Sequence, residues 1–259
     1  MPLIPVTVLA GAAGWTGAML RRLAADRAMH DVLVVADEGS ADASPDCTCC
    51  AIAGGLTRVL REAFYARAEG RGRPFTRVLV DASGVDPRPA LAALGRAPLA
   101  SLRFALSAIA CAAPERDPIA TALADAAVDP AQCGVEDLFA AGLYRQGALD
   151  ARGWLERAVV PRLTWSRLEP WDPADVEPAV QAVQLAAGEG LLRLKGLVHV
   201  AGEPGPRLVQ AFGHTRYPSA RLPAWPGGRR ETTFALAPRA LDSGPIARIL
   251  ELIPFRPDP

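Results

Sequence analysis

The stretch Val6-Thr7-Val8-Leu9-Ala10-Gly11-Ala12-Ala13-Gly14-Trp15-Thr16-Gly17-Ala18-Met19 decides the fold. An apolar, β-branched run enters a glycine-rich turn, and a helical pattern leaves it. That is the layout of a loop that cradles phosphate with backbone N–H groups at a helix N-terminus. Such a loop then needs Lys for the β- and γ-phosphates and Ser or Thr for Mg²⁺. Here those positions read Gly17, Ala18 and Met19, and the one lysine of the chain, Lys195, lies far away. Without an ammonium or metal clamp, phosphoryl transfer loses its main electrostatic stabilisation. Gly11, Gly14 and Gly17 can still offer backbone amides to an anion. The bland reading is that the strand-to-helix turn needs glycine for backbone reasons alone.

Strands and helices alternate outward from this turn. Ile4 to Ala10 reads as a buried strand, and Gly17 to Met29 as a helix with Leu20, Leu23 and Ala24 on one face. Asp31 to Ala36 is a second strand, Gly39 to Thr48 a polar loop, and Thr57 to Glu69 a helix. Arg77 to Ala82 is a third strand, and Arg103 to Ala112 contains a fourth. The alternation predicts a parallel α/β sheet. From about Leu163 the pattern changes. Thr164 to Leu168, Leu191 to Ala201, Arg207 to Tyr217 and Glu231 to Ala237 read as strands, with helices at Pro173 to Ala187 and Ile246 to Leu252. Strands in succession beside helices predict a smaller α+β domain. The expected organisation is an α/β domain over 1–150, a linker over 151–162 and the α+β domain over 163–259.

At 259 residues the chain has room for one large domain or two small ones. A net charge of zero, with scattered arginines, argues against nucleic acid or an anionic membrane as partner. Met1 to Leu20 lacks the basic start of an export signal. Leu99 to Ala113 is too short for a bilayer span and contains Arg103. The expected setting is a reducing cytoplasm, where cysteines are thiols or metal ligands.

Of five cysteines, Cys47, Cys49 and Cys50 stand together, with Cys111 and Cys133 apart. Thiolates suit zinc or another divalent transition metal. In an extended segment Cys47 and Cys49 face one side and Cys50 the other, so convergence needs a local turn. Asp37, Glu38, Asp46 or His214 are candidates to complete the set. An incomplete, exposed set suits transfer of a metal, whereas a structural site is closed. The bland reading is buried structural thiols. Asp81 ends the third strand, where α/β sheets place functional groups; it is equally a cap for the following turn. Trp154, Trp165, Trp171 and Trp225 read as core or interface packing. Three histidines and no paired carboxylates give no catalytic residue.

The C-terminal half carries a family pattern. Gly190-Leu191-Leu192-Arg193-Leu194-Lys195-Gly196-Leu197-Val198-His199-Val200-Ala201-Gly202-Glu203 is followed by Gln210-Ala211-Phe212-Gly213-His214. Leu222-Pro223-Ala224-Trp225-Pro226 and Arg229-Arg230-Glu231-Thr232-Thr233-Phe234-Ala235-Leu236 come next. In order and spacing this resembles the CobW family of P-loop GTPases, a family linked to metal delivery and cobalamin biosynthesis. In the N-terminal half, Cys47-Thr48-Cys49-Cys50 is similar to the family's CxCC metal signature, and Asp81-Ala82-Ser83-Gly84-Val85-Asp86-Pro87 to its E-T-T-G-x-x-D-P segment. The acidic switch segment is shortened to Asp37-Glu38-Gly39, and no guanine-reading N/T-K-x-D follows Leu123 to Val128.

The resemblance implies a metal-binding protein, a zinc or cobalt chaperone, buffer or regulator, and the departures from the family pattern imply one without GTP hydrolysis and without GTP or Mg²⁺ as cofactor. Its partners would be a metal ion and a client protein. The alternative is a pseudo-GTPase scaffold that binds a protein through its C-terminal domain with no metal role. A third reading keeps an atypical GTPase with Arg21 or Arg22 in place of the lysine, although a guanidinium imitates a compact ammonium poorly.

Overall fold

Strand β1 (Ile4–Ala10) is buried along almost its whole length because strands flank it on both sides. The computed structural model describes residues 3–36, 48–112, 117–140, 142–145, 148–157, 163–238 and 243–252. The chain divides into two compact units, Met1–Leu149 and Asp150–Pro259.

In the first unit, β1 leads to α1 (Trp15–Leu23), β2 (Val32–Ala36), α2 (Thr48–Ala68), β3 (Arg77–Asp81), α3 (Arg88–Arg96), α4 (Pro98–Arg103) and β4 (Phe104–Cys111). Then come α5 (Pro118–Leu123), β5 (Ala126–Ala127), α6 (Val135–Ala140) and a hairpin of β6 (Tyr144–Arg145) and β7 (Ala148–Leu149). The five-stranded sheet has the order β2-β3-β1-β4-β5, with every pair parallel. Parallel neighbours need crossovers, and the helices supply them. Met19 and Leu23 of α1 pack with Leu79, Val128, Leu138 and Phe139 in one core.

In the first unit both expected helices differ from their expected spans. The first stops at Leu23 because the Asp26 side chain accepts the Ala28 N–H at 2.8 Å and starts a separate 3-10 turn, Arg27–Asp31. The second begins at Thr48 rather than Thr57, running through Gly54 and Gly55. Buried Leu56, Leu60 and Phe64 anchor it, with Phe64 edge-on to Phe104 at 6.3 Å. Packing overrides the glycine penalty of about 1 kcal/mol each.

The second unit contains α7 (Ala151–Glu156), β8 (Leu163–Arg167), α8 (Val176–Ala187), β9 (Leu191–Val198), β10 (Arg207–Phe212), β11 (Thr215–Arg216), β12 (Ala220–Arg221), β13 (Thr232–Pro238) and α9 (Ser243–Glu251). Its antiparallel sheet runs β11-β10-β9-β13-β8, with β12 also on β10. One face packs on α8 and α9 through Val180, Val183, Leu194, Val198, Leu236 and Leu250. Trp171 joins that core against Phe234 (5.6 Å) and Trp165 (6.2 Å). The other face carries Lys195, fully buried, whose Nζ donates to the Trp154 carbonyl at 2.7 Å and stands 4.8 Å from the Trp154 ring centre. No helix among the described residues is long and apolar enough to cross a membrane.

Candidate functional site

Gly11 and Gly14 turn the chain from β1 into α1 with φ of 108° and 89°, a region that L side chains rarely adopt. Gly14 is the N-cap of α1 and no side chain caps the helix, so its first amides are left for backbone, solvent or an anion. A Cβ on Gly11 would stand 2.9 Å from Cys111 Sγ; one on Gly14 would meet nothing within 4 Å. Gly17, in the first turn of α1, has Arg21 Nη1 3.6 Å from where its Cβ would be.

The segment after β3 is bonded onto this loop. Gly84 N–H donates to Gly11 O at 2.7 Å, and Ala82 N–H to Leu9 O at 2.9 Å. The hydroxyls of Thr16 and Ser83 are hydrogen-bonded at 2.9 Å. Gly84 has φ of 79°, and a Cβ on it would lie 2.6 Å from Ala13 Cβ. Asp81 accepts the Ser83 N–H at 3.0 Å, closing an Asx turn. The fold thus gathers Gly11, Gly14, Gly17 and Asp81 at the carboxyl end of β1 and β3. A backbone nest remains there, but the loop's own hydroxyl, Thr16, is engaged by Ser83.

Arg22 does not serve this loop. Its Nη2 donates to Pro130 O at 3.0 Å and to Cys133 O at 2.6 Å, pinning the turn that follows β5. Asp129 shapes that turn, its carboxylate accepting the Ala131 N–H at 2.9 Å. Cys133 lies against Met19, Sγ to Sδ 3.3 Å. Burial pushes its thiol up, with the Arg22 charge pulling the other way. Cys111 and Cys133 are buried and not joined in a disulfide.

The cysteine cluster is described only in part. Asp37, Glu38, Asp46 and Cys47 lie outside the described residues. Cys49 and Cys50 belong to the first turn of α2 rather than lying ahead of a helix that starts at Thr57; their side chains lie outside the description. His214 is not in a strand. It sits exposed in the turn Gly213-His214 that closes the β10–β11 hairpin, with φ of 48° at Gly213. Among the described residues no group of three or more His, Cys, Asp or Glu could hold a metal ion.

Sequence reasoning has His199 alternate with apolar neighbours and face solvent or a neighbouring element, and it passed over a cleft in the second unit. His199, with its residue 5% exposed, has Nδ1 2.9 Å from the Leu168 carbonyl and its ring edge-on to Trp225 at 5.5 Å. A carbonyl only accepts, so Nδ1 carries the proton. A cleft of about 330 Å³ opens beside Trp225. The only sequence signal for it is the alternation of Thr164 and Ser166 with Leu163, Trp165 and Arg167 in β8.

A parallel sheet with a glycine turn between its central strand and first helix, followed by an α+β unit, defines a P-loop-type protein with an appended domain. Residues 160–252 match the family described as Cobalamin synthesis protein cobW C-terminal domain. Two solved structures share the fold over almost the whole chain. The Zn(II)-bound YjiA GTPase from E. coli has a TM-score of 0.66 at 14% identity, covering 98% of this chain and 100% of that one. A Zn(II)-bound triple mutant of YjiA GTPase has a TM-score of 0.65 at 16% identity, covering 98% and 99%. At these identities the likeness is one of fold. No curated protein matches the chain.

Proposed function

We propose that this chain binds zinc or cobalt as cargo, acting as a metal chaperone, buffer or regulator, and does not hydrolyse GTP. The observation that carries the reading is the glycine turn. It keeps its course from β1 into α1, yet Gly17 and Ala18 bring neither ammonium nor hydroxyl to the place where phosphates and Mg²⁺ need them. Gly11, Gly14, Gly17 and Asp81 are then the remnant of a nucleotide site. The metal reading is supported by the Cys47, Cys49 and Cys50 set, and by the Zn(II) bound in both structural neighbours. Asp37, Glu38 or His214 would complete the coordination of a thiolate set that leaves a place open for transfer.

Titration of the reduced protein with Zn²⁺ against a chromophoric chelator tests this, with the Cys47→Ser, Cys49→Ser, Cys50→Ser triple variant alongside. Stoichiometric binding that the triple variant loses is expected, with GTP turnover at the buffer background. Equal zinc affinity in the two proteins overturns the metal role. Turnover that disappears on Arg21→Ala restores the GTPase. A second reading, a scaffold that engages a partner through the C-terminal unit, is favoured by the cleft in that unit.

A further inference from the structure

The cleft of about 330 Å³ lies wholly within the second unit, over the open part of the sheet face opposite α8 and α9. Its volume falls in the range of small-ligand sites, about 300–1,000 Å³. The floor is made by neighbouring strands in register. Ser166 of β8 pairs with Thr233 of β13, which pairs with Leu197 of β9, and Thr164 pairs with Ala235 in the next row. Three hydroxyls therefore stand side by side on one sheet face. Leu155 of α7 and Trp225 with Pro226 form apolar walls. Trp225 also keeps a buried indole N–H with no acceptor among the described residues.

Two guanidiniums stand at the mouth. Arg152 of α7 gives its Nε–H to Glu156 at 2.8 Å, and Arg229 Nε is 3.0 Å from Glu231. Arg152 also reaches the loop opposite: a Cβ on Gly227 would run into its Nη1, and Gly227 has φ of 78°. Both arginines are more than half exposed, so their glutamate pairs contribute only about 0–1 kcal/mol each. A guanidinium has four further N–H donors on its Nη atoms, in a fork that matches a carboxylate.

We infer that this cleft binds a carboxylate attached to an apolar body. The carboxylate is taken by Arg152 and Arg229 with the hydroxyls of Thr233 and Ser166, and the apolar part by Leu155, Leu197 and Trp225. Hydroxyls and guanidiniums favour an acceptor-rich group, and the apolar walls favour one with an apolar body over a bare inorganic anion. The same chemistry is offered by a peptide C-terminus ending in an aliphatic residue and by a free aliphatic acid. The site stands whether or not the chain binds metal.

Calorimetric titration of the full chain tests it with three probes: a pentapeptide ending in leucine with a free carboxylate, the same peptide as its C-terminal amide, and 4-methylpentanoate. The expected result is binding of the peptide acid, at least tenfold weakened in the amide. Arg152→Gln and Arg229→Gln are each expected to weaken it about fivefold or more, while Arg58→Gln, an exposed arginine of the first unit, leaves it unchanged. Binding of the pentanoate as tight as that of the peptide acid identifies a free acid as the ligand, and preference for the peptide identifies a protein terminus. Equal binding of acid and amide, unchanged affinity in both arginine variants, or no heat with either acid at millimolar concentration overturns the inference. Circular dichroism of each variant confirms that the fold is intact.

Discussion

The glycine turn of the first unit and the cleft of the second differ in how their polar groups are satisfied. In the turn, Thr16 holds Ser83, Asp81 holds the Ser83 amide, and Gly84 bonds to Gly11 where Ala13 leaves no room for a Cβ. The side chains of Thr16, Ser83 and Asp81 are engaged within the unit itself, while the Trp15 indole N–H beside them is buried with no acceptor among the described residues. In the cleft, two mostly exposed guanidiniums pair with Glu156 and Glu231 beside a row of hydroxyls and open volume. A turn that closes on itself acts as a structural joint, whereas exposed pairs around a volume can exchange their partners for a ligand's. The place that the sequence marks most strongly is thus the more self-contained one.

Two glycines with almost the same φ make the sharpest test. Gly84 (79°) has no room for a Cβ, whereas Gly228 (78°), in the cleft loop, has nothing within 4 Å. Gly84→Ala is expected to destabilise the first unit by about 3 kcal/mol, from backbone strain plus overpacking. Gly228→Ala should cost about 1 kcal/mol, from strain alone. Urea denaturation of the two variants measures the difference, and equal losses would break the contrast between a packed and an open region.

Hydroxyl removal probes the same contrast at lower energy. Thr16→Val breaks the bond to Ser83 and should cost about 1 kcal/mol of stability. Thr233→Val should change stability by no more than about 0.5 kcal/mol while weakening carboxylate binding. A reversal of that order would show the cleft hydroxyls to be structural.

A small effect is also expected with pH. Burial works against the Asp31 carboxylate, but hydrogen bonds from Thr76 and Arg77, together with the Arg77 charge, outweigh it and hold its pKa below the ordinary range. A depressed folded pKa stabilises the native state above the unfolded value near about 3.9, and that contribution disappears as pH falls through the folded pKa. Because the side chain is 43% exposed, less than about 1 kcal/mol is at stake. Between pH 5 and pH 2 the wild type should lose that much more stability than Asp31→Asn; parallel curves would remove Asp31 from the account.

Much of the fold was legible because hydrophobic period is local. Ile4–Ala10 announces a buried strand by composition alone; Val32–Ala36 reads the same way, yet it lies at the sheet edge with Val34 exposed; and Val176, Val180 and Val183 announce a helix by spacing. The start of α2 was not legible, since Gly54 and Gly55 speak against a helix that Leu56, Leu60 and Phe64 then stabilise from the core side. His214 read as a strand residue because apolar neighbours surround it; the hairpin turn at Gly213 decided otherwise. The glycine turn was legible as a motif, and its missing lysine as a substitution. That Thr16 meets Ser83, 67 residues away, was not.

The sequence by itself determined the alternation of strands and helices, the family of the C-terminal domain, the absence of a lysine from the glycine turn and the presence of three clustered cysteines. Each is a property of neighbours along the chain. Only the tertiary structure decided that Arg22 serves the turn after β5, that Lys195 is buried beneath Trp154, and that Thr164, Ser166 and Thr233 line one cleft with Arg152 and Arg229. Those pairings join residues tens of positions apart. They exist because strand register and helix packing bring distant side chains within hydrogen-bond reach, which no local pattern encodes.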